Sequence, residues 1–305
     1  MEAPFIHDTV LLHETIAWLK PQSGKVYADA TLGGGGHTAA ILDASAPAGR
    51  VIAVDRDANA VENARTRLAA YGDRVTVLHG EFRDLPELLQ RAGYEHVDGV
   101  VADLGVSSPQ LDHKERGFAF SEEGPLDMRM DQSQEESALS LIARLSEREL
   151  ADILYEYGDE RRSRPIARSI RSFYEAGELH TTRDLRRAVV KAIGRPPNSK
   201  IDPATRTFQA LRIAVNDEVG QLEALIACLS QILSDEAVAV LISFHSLEDR
   251  LVKHGLRSDP LLTVLTKRPI IPGDEEQARN RRARSAKLRA AARRPRTEAI
   301  SEVSA

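Results

Sequence analysis

Two rhythms of apolar and polar positions alternate along the first hundred residues. Lys25–Ala30, Arg50–Asp55, Arg74–His79 and Val97–Asp103 are short apolar runs of strand length, and three of them carry an aspartate at or near their end. Between them, His37–Ser45, Ala58–Ala70 and Leu85–Ala92 read as helices; Val61, Ala64 and Leu68 show the spacing in the second. Strands separated by helices predict an α/β domain with a parallel sheet covered on both faces.

The rhythm then breaks. From about Leu111 to Ala204 no convincing strand pattern occurs, and Gly117–Asp131, which contains Gly124-Pro125, reads as a loop. Ser146-Glu147-Arg148-Glu149 is a capping box opening a helix that can end near Gly158. Thr182–Ile193 is another helix, stopped by Gly194 and the breakers Pro196-Pro197. One long helix is predicted over Thr205–Leu233, where Leu211, Val215, Val219, Leu222 and Ile226 recur at helical spacing. The sheet resumes at Ala237–Phe244. Leu261–Thr266 and Ser285–Ala292 are the last strand candidates, the latter also fitting a helix. The expected organisation is an α/β core of seven strands, residues 1–110 and 205–305, with a helical insert over 111–204.

Composition changes this picture little. A hydrophobic share of 42% and a charged share of 29% are those of an ordinary globular protein. No run of 18 apolar residues occurs, Met1–Phe5 lacks the pattern of a signal peptide, and Cys228 has no second cysteine to pair with. These features predict a cytoplasmic protein. The net charge of −5 does not suggest nucleic acid, but its distribution does: eight Arg or Lys and no acid lie between Arg281 and Arg296. A second basic region from Arg161 to Arg171 includes Arg162, Arg164 and Arg168. Such patches bind phosphates even on an acidic protein, and equally serve as solvated surface.

The candidate chemistry lies where strands hand over to helices. Thr31-Leu32-Gly33-Gly34-Gly35-Gly36-His37 is a glycine turn between a strand and a helix, which lets backbone approach a ligand and exposes helix N-terminal amides to it. Asp55 ends the next strand, 21 residues after Gly34, where an acid can accept both hydroxyls of an adenosine ribose. Gly34, Gly36 and Ala39 also satisfy the dinucleotide pattern, so NAD stays a rival cofactor. Phe82 can lie against an adenine or simply pack in the core. Asp103, followed by Leu104-Gly105-Val106, can serve a reaction centre or cap a loop.

At these residues the chain resembles the bacterial RsmH (MraW) family, which methylates the exocyclic N4 of a cytosine in small-subunit (16S) ribosomal RNA. The resemblance is carried by Thr9-Val10-Leu11-Leu12, Gly35-Gly36-His37, Asp55-Arg56-Asp57 and the stretch Asp103–Asp112. It continues through Arg116-Gly117-Phe118, Gly124–Asp131, Tyr157–Arg161, Ala204–Ile213, Ser243–Arg250 and Arg282-Ala283-Arg284-Ser285, so it spans nearly the whole chain. One departure stands out: Asn280-Arg281 replaces the Asn-Pro common before that last motif.

The resemblance implies a class I (Rossmann-like) methyltransferase using S-adenosyl-L-methionine, with the insert as an RNA-recognition domain. By position, Gly35, Gly36, His37, Asp55, Phe82, Asp103 and Gln110 would contact the cofactor, and Asp103 is the catalytic candidate. The implied partner is 16S ribosomal RNA, within the small ribosomal subunit. A homodimer through the insert is compatible with the sequence but has no pattern of its own.

Cytosine N4 is a poor nucleophile, so an acceptor for an N4 proton would help; Asp103 or a carbonyl of Gly105–Pro109 can provide it. Methylation at cytosine C5 would need a thiolate, and Cys228 sits in a helical apolar context far from the glycine loop. Neither His37 nor His245 has a second histidine or a cysteine at helical spacing, and no cysteine cluster exists, so no metal is expected. Ser243-Phe244-His245-Ser246 can line the substrate pocket, or Ser246 can cap a helix starting at Leu247. Arg206 and Arg212 are candidate phosphate contacts. The rivals are an NAD-dependent oxidoreductase and a non-catalytic ribosome-assembly factor keeping a vestigial nucleotide fold.

Overall fold

A computed structural model describes residues 9–195 and 202–296. The breakers Pro196-Pro197 lie outside those residues. The chain divides into two compact units, Met1–Gly105 with Val219–Ala305, and Val106–Glu218. The second unit is therefore longer at both ends than the 111–204 expected for the insert.

In chain order the first unit holds α1 (Leu12–Leu19), β1 (Val26–Asp29), α2 (Gly36–Ala44), β2 (Arg50–Asp55), α3 (Ala58–Arg67), β3 (Val75–His79), α4 (Leu85–Arg91) and β4 (Val97–Asp103). The second holds α5 (Ser108–Asp112), α6 (Ala138–Arg144), α7 (Glu147–Glu156), α8 (Ser163–Glu175), α9 (Thr182–Ile193) and α10 (Thr205–Val215). The first unit resumes with α11 (Glu218–Ile232), β5 (Leu233–Ser243), α12 (Ser246–Ser258), β6 (Leu262–Val264), α13 (Asp274–Arg279) and β7 (Lys287–Arg293).

The sheet order is β3-β2-β1-β4-β5-β7-β6. The first five strands are parallel, and β7 is antiparallel to both β5 and β6. The strand reading of Ser285–Ala292 is thus the one that forms. Side chains alternate between two cores, as a strand period of two requires. Ala28, Ile52, Val54, Val100 and Ala102 face a layer that includes Leu85, Leu89, Leu225 and Leu229. Tyr27, Val51, Ala53 and Val101 face another, with Leu11, Ile41, Leu42 and Ala64.

The second unit has its own core, built from Leu150, Leu154, Ile166, Ile170, Leu185, Val189 and Leu211 among others. Ser146 caps α7 in the predicted capping box, and Thr181 caps α9 in another. Gly117–Asp131 is a loop whose Phe118, Leu126, Met128 and Met130 are buried while Ser121, Glu122 and Glu123 are exposed. Arg116 donates to the carbonyls of Arg129 and Met130, and Asn216 accepts from the Met130 amide at 2.8 Å and donates to the Met128 carbonyl at 2.7 Å.

The single helix expected over Thr205–Leu233 does not form. Asn216 ends α10, and Asp217 turns to φ 48°. Apolar periodicity runs straight across this break, because Leu211 and Val215 serve one core while Leu222 and Leu229 serve another. The Asn216 amide, spent on the loop carbonyl and amide, makes the stop.

Candidate active site

Three aspartates end three adjacent strands: Asp55 on β2, Asp29 on β1 and Asp103 on β4. The strand order reverses between β1 and β4. Ligands of open α/β sheets bind at the carboxyl ends of strands at such a switch point.

The glycine loop hangs over this edge. The Leu32 amide donates to Val54 on β2, and the Gly35 amide folds back to Leu32 at 2.6 Å. Gly35 precedes α2 at φ 75°, a left-handed conformation that favours glycine. A Cβ on Gly36 would lie 1.8 Å from Thr9 Oγ1, so the N-terminal segment allows no side chain there. Arg67 secures the Gly34 carbonyl at 2.7 Å.

Asp29 lies fully buried beneath the loop. It accepts from Thr38 Oγ1 at 2.6 Å and from the Thr31 amide at 3.1 Å, and burial raises its pKa. Thr31 Oγ1 in turn accepts from the Asp103 amide at 2.6 Å. Sequence reasoning noted Asp29 only as a strand end; its burial and its link to Asp103 through Thr31 are tertiary facts.

Asp55 accepts from the Gly33 amide at 2.7 Å and the Asp57 amide at 2.8 Å, one on each oxygen. Each oxygen keeps capacity for a further donor. Burial pushes its pKa up to about 6, against the lowering effect of those two amides.

Asp103 differs. Its Oδ1 is buried with no hydrogen-bond partner among the described residues. Burial first, then the charges of Asp29 and Glu248, push its pKa well above the usual carboxylate range. A buried oxygen without a donor is costly, and a cationic ligand or an N–H donor would satisfy it. The position therefore suits a positively charged or amine-bearing ligand.

The remaining candidates divide. Phe82 opens a short 3-10 turn just past β3 and packs partly against the core, leaving the rest of its ring at the edge. Its neighbour Glu81 is held by Arg56 at 2.9 Å and by Arg83 and Gln221, contacts no local pattern announced. Buried His37 faces the N-terminal segment, Nε2 lying 3.1 Å from the Val10 carbonyl. Gln110 belongs to the second unit, where its Oε1 accepts from the Ser107 amide at 3.0 Å in the capping box of α5.

At the end of β5 the cap is His245, and α12 begins at Ser246. The expectation of a Ser246 cap before Leu247 is corrected. His245 Nδ1 accepts from the Glu248 amide at 3.4 Å, its Nε2 lies 3.1 Å from Glu248 Oε1, and Glu248 Oε2 takes the Phe244 amide at 2.8 Å. Cys228 is buried, donates to the Leu225 carbonyl, and has its pKa raised to about 11 by burial, so it is no nucleophile near neutrality.

Several arginines considered for RNA have protein partners. Arg212 forms an ion pair with Glu218 at 2.7 Å, both largely buried. Arg206 is exposed and donates to the Asp159 carbonyl, Arg162 donates to that of Ile193, and Arg168 pairs with Glu147.

Comparison with known proteins adds what geometry alone does not. A profile of the MraW methylase family matches residues 4–294. A protein named Ribosomal RNA small subunit methyltransferase H from Sorangium cellulosum is 57% identical over 287 residues, covering 94% of this chain and 90% of that one. Proteins of the same name from Desulfotalea psychrophila and a Synechocystis species are 46% and 49% identical; they cover 95% and 94% of this chain and 99% and 93% of their own.

Proposed function

Because the chain belongs to the MraW methylase family, we propose that it methylates the exocyclic N4 of a cytidine in small-subunit ribosomal RNA, using S-adenosyl-L-methionine. The relatives named for that RNA support the substrate. The observation that carries the chemistry is the buried Oδ1 of Asp103, without a hydrogen-bond partner among the described residues, at the strand edge beside the glycine loop.

The residues present fit the cofactor. Asp55 has spare acceptor capacity for ribose hydroxyls, and Gly35, left-handed at φ 75°, turns the backbone into the N-terminus of α2. Phe82 offers a ring face to an adenine, while His37 holds the N-terminal segment against α2. The family resemblance adds Gln110 to the proposed contacts. Bound there, S-adenosylmethionine supplies an electrophilic methyl group, which an amine nitrogen takes with loss of one proton. Asp103 would accept a hydrogen bond from N4, localising the nitrogen lone pair and stabilising the charge that develops. With its pKa raised, Asp103 can also take the departing proton. The insert is read as the part that recognises RNA, the target base being unstacked for reaction. The reaction is placed in the cytoplasm, on RNA within the small subunit.

The test is incubation of the purified chain with methyl-labelled S-adenosylmethionine and unmethylated small subunits, followed by nucleoside mass spectrometry. Labelled N4-methylcytidine is expected. Label on another nucleoside overturns the N4 assignment, and no labelled nucleoside from subunits or naked RNA overturns the substrate.

A further inference from the structure

An RNA substrate brings a line of phosphates that must be held near the reacting base. The basic run between Arg281 and Arg296 looks uniform in sequence, yet β7 passes through it and divides it. Lys287 stands opposite Ser243, because β7 is antiparallel to β5. So β7 begins at the sheet edge where β1, β2, β4 and β5 end. Residues before it stand at the edge of Asp103. Those after it stand at the opposite edge, where Arg296 pairs with Asp235.

Inside the strand the cations are committed. Buried Arg289 pairs with Asp249 at 2.7 Å, Lys287 joins the same carboxylate, and buried Arg293 donates to the Ser230 carbonyl. At the Asp103 edge, Arg281 and Arg284 lie exposed in the 3-10 turn Arg281–Ser285. A second pair arrives from another part of the chain. β6 is antiparallel to β7 and runs toward this same edge, Thr266 bonding Ala290 and Ile270 bridging Leu288. Lys267 and Arg268 lie between those two contacts, both exposed.

None of these four side chains makes a hydrogen bond or ion pair among the described residues. Ile271 beside them is 62% exposed. The lip is tied to the glycine loop: Glu276 on α13 accepts from the Leu11 amide at 2.9 Å, and the same N-terminal segment holds His37 and abuts Gly36. Asp274, Glu275 and Glu276 in the first turn of α13 are its flanking acids, and the four cations exceed them by one.

Resting on the reading of the substrate as RNA, we propose that Lys267, Arg268, Arg281 and Arg284 bind backbone phosphates of the strand carrying the target base. Exposed guanidinium and ammonium groups without internal partners match phosphates, and neutralising each phosphate releases counterions.

Arg281→Ala/Arg284→Ala and Lys267→Ala/Arg268→Ala test this, each double variant measured for RNA binding against salt and for methyl transfer to small subunits. Each double variant is expected to weaken RNA binding by about tenfold or more and to flatten the log–log salt slope by about 1.5, at roughly 0.7–0.9 per phosphate lost. KM for subunits should rise while S-adenosylhomocysteine affinity stays unchanged, which shows that the fold is intact. Arg281→Lys/Arg284→Lys should restore most of the binding, and Arg91→Ala, at the end of α4, should change nothing. RNA affinity and salt slope equal to wild type in both double variants overturn the lip and leave the methyltransferase reading standing. A wild-type chain that binds RNA through the lip but transfers no methyl group has the reverse meaning.

Discussion

At the residue scale the site is a set of carboxylates held under tension by burial. Asp55 is an acceptor with its pKa near 6, and a ribose would hydrogen-bond its ionised form. Affinity for S-adenosylhomocysteine should therefore be flat above about pH 7 and fall below pH 6, approaching tenfold per pH unit. Titration calorimetry across that range checks it, and Asp55→Asn should bind weakly with no such slope. Asp103 makes a stability prediction. Its folded pKa is raised, so its contribution is fully present below the unfolded value and is lost as pH rises through the folded one. In the ligand-free protein at pH 8, Asp103→Asn should be more stable than wild type by about 1–3 kcal/mol in denaturant melts, while turnover falls by roughly a hundredfold or more. A variant with wild-type turnover would remove Asp103 from the chemistry.

At the scale of elements, two junctions matter most. The first is the entry to α2, where Thr9 fills the space a Gly36 side chain would need. Gly36→Ala should destabilise the protein by about 1–3 kcal/mol and weaken S-adenosylhomocysteine binding, measured by melts with and without ligand. The second is the stop between α10 and α11. Asn216→Ala leaves the buried Met130 amide and Met128 carbonyl without their partner, at a cost of about 2–4 kcal/mol. Calorimetry should place that loss in the second unit's transition. The second junction was hard to read from the sequence for one reason. Hydrophobic periodicity reports that a face is buried but not which core buries it, so the pattern from Leu211 to Leu229 ran unbroken through a real break.

At the scale of the molecule, ligand binding is linked to the stability of the unit that carries the glycine loop and the three strand-end aspartates. S-adenosylhomocysteine at about 100 times its Kd adds about 2.7 kcal/mol to that unit, which corresponds to a rise of roughly 5–10 °C in its melting transition. NADH should leave the transition where it is; protection by NADH instead would revive the dinucleotide reading. Among the described residues no helix is long and apolar enough to cross a membrane.

The sequence by itself determined the first five strands, the parallel order of the early ones, the glycine loop and the acids at the strand ends, and left Ser285–Ala292 open between strand and helix. These depend on local chemistry: a period of two or 3.6, glycine where backbone must bend, and an acid where a strand stops. Only the tertiary structure decided the rest. It slotted β7 antiparallel between β5 and β6, and so sent the two ends of one basic run to opposite edges of the sheet. It made His245 rather than Ser246 the cap, and it paired Arg212 with Glu218. It also left Asp103 Oδ1 buried without a partner among the described residues. Charge, burial and pairing depend on neighbours distant along the chain, and no local pattern encodes which neighbours those will be.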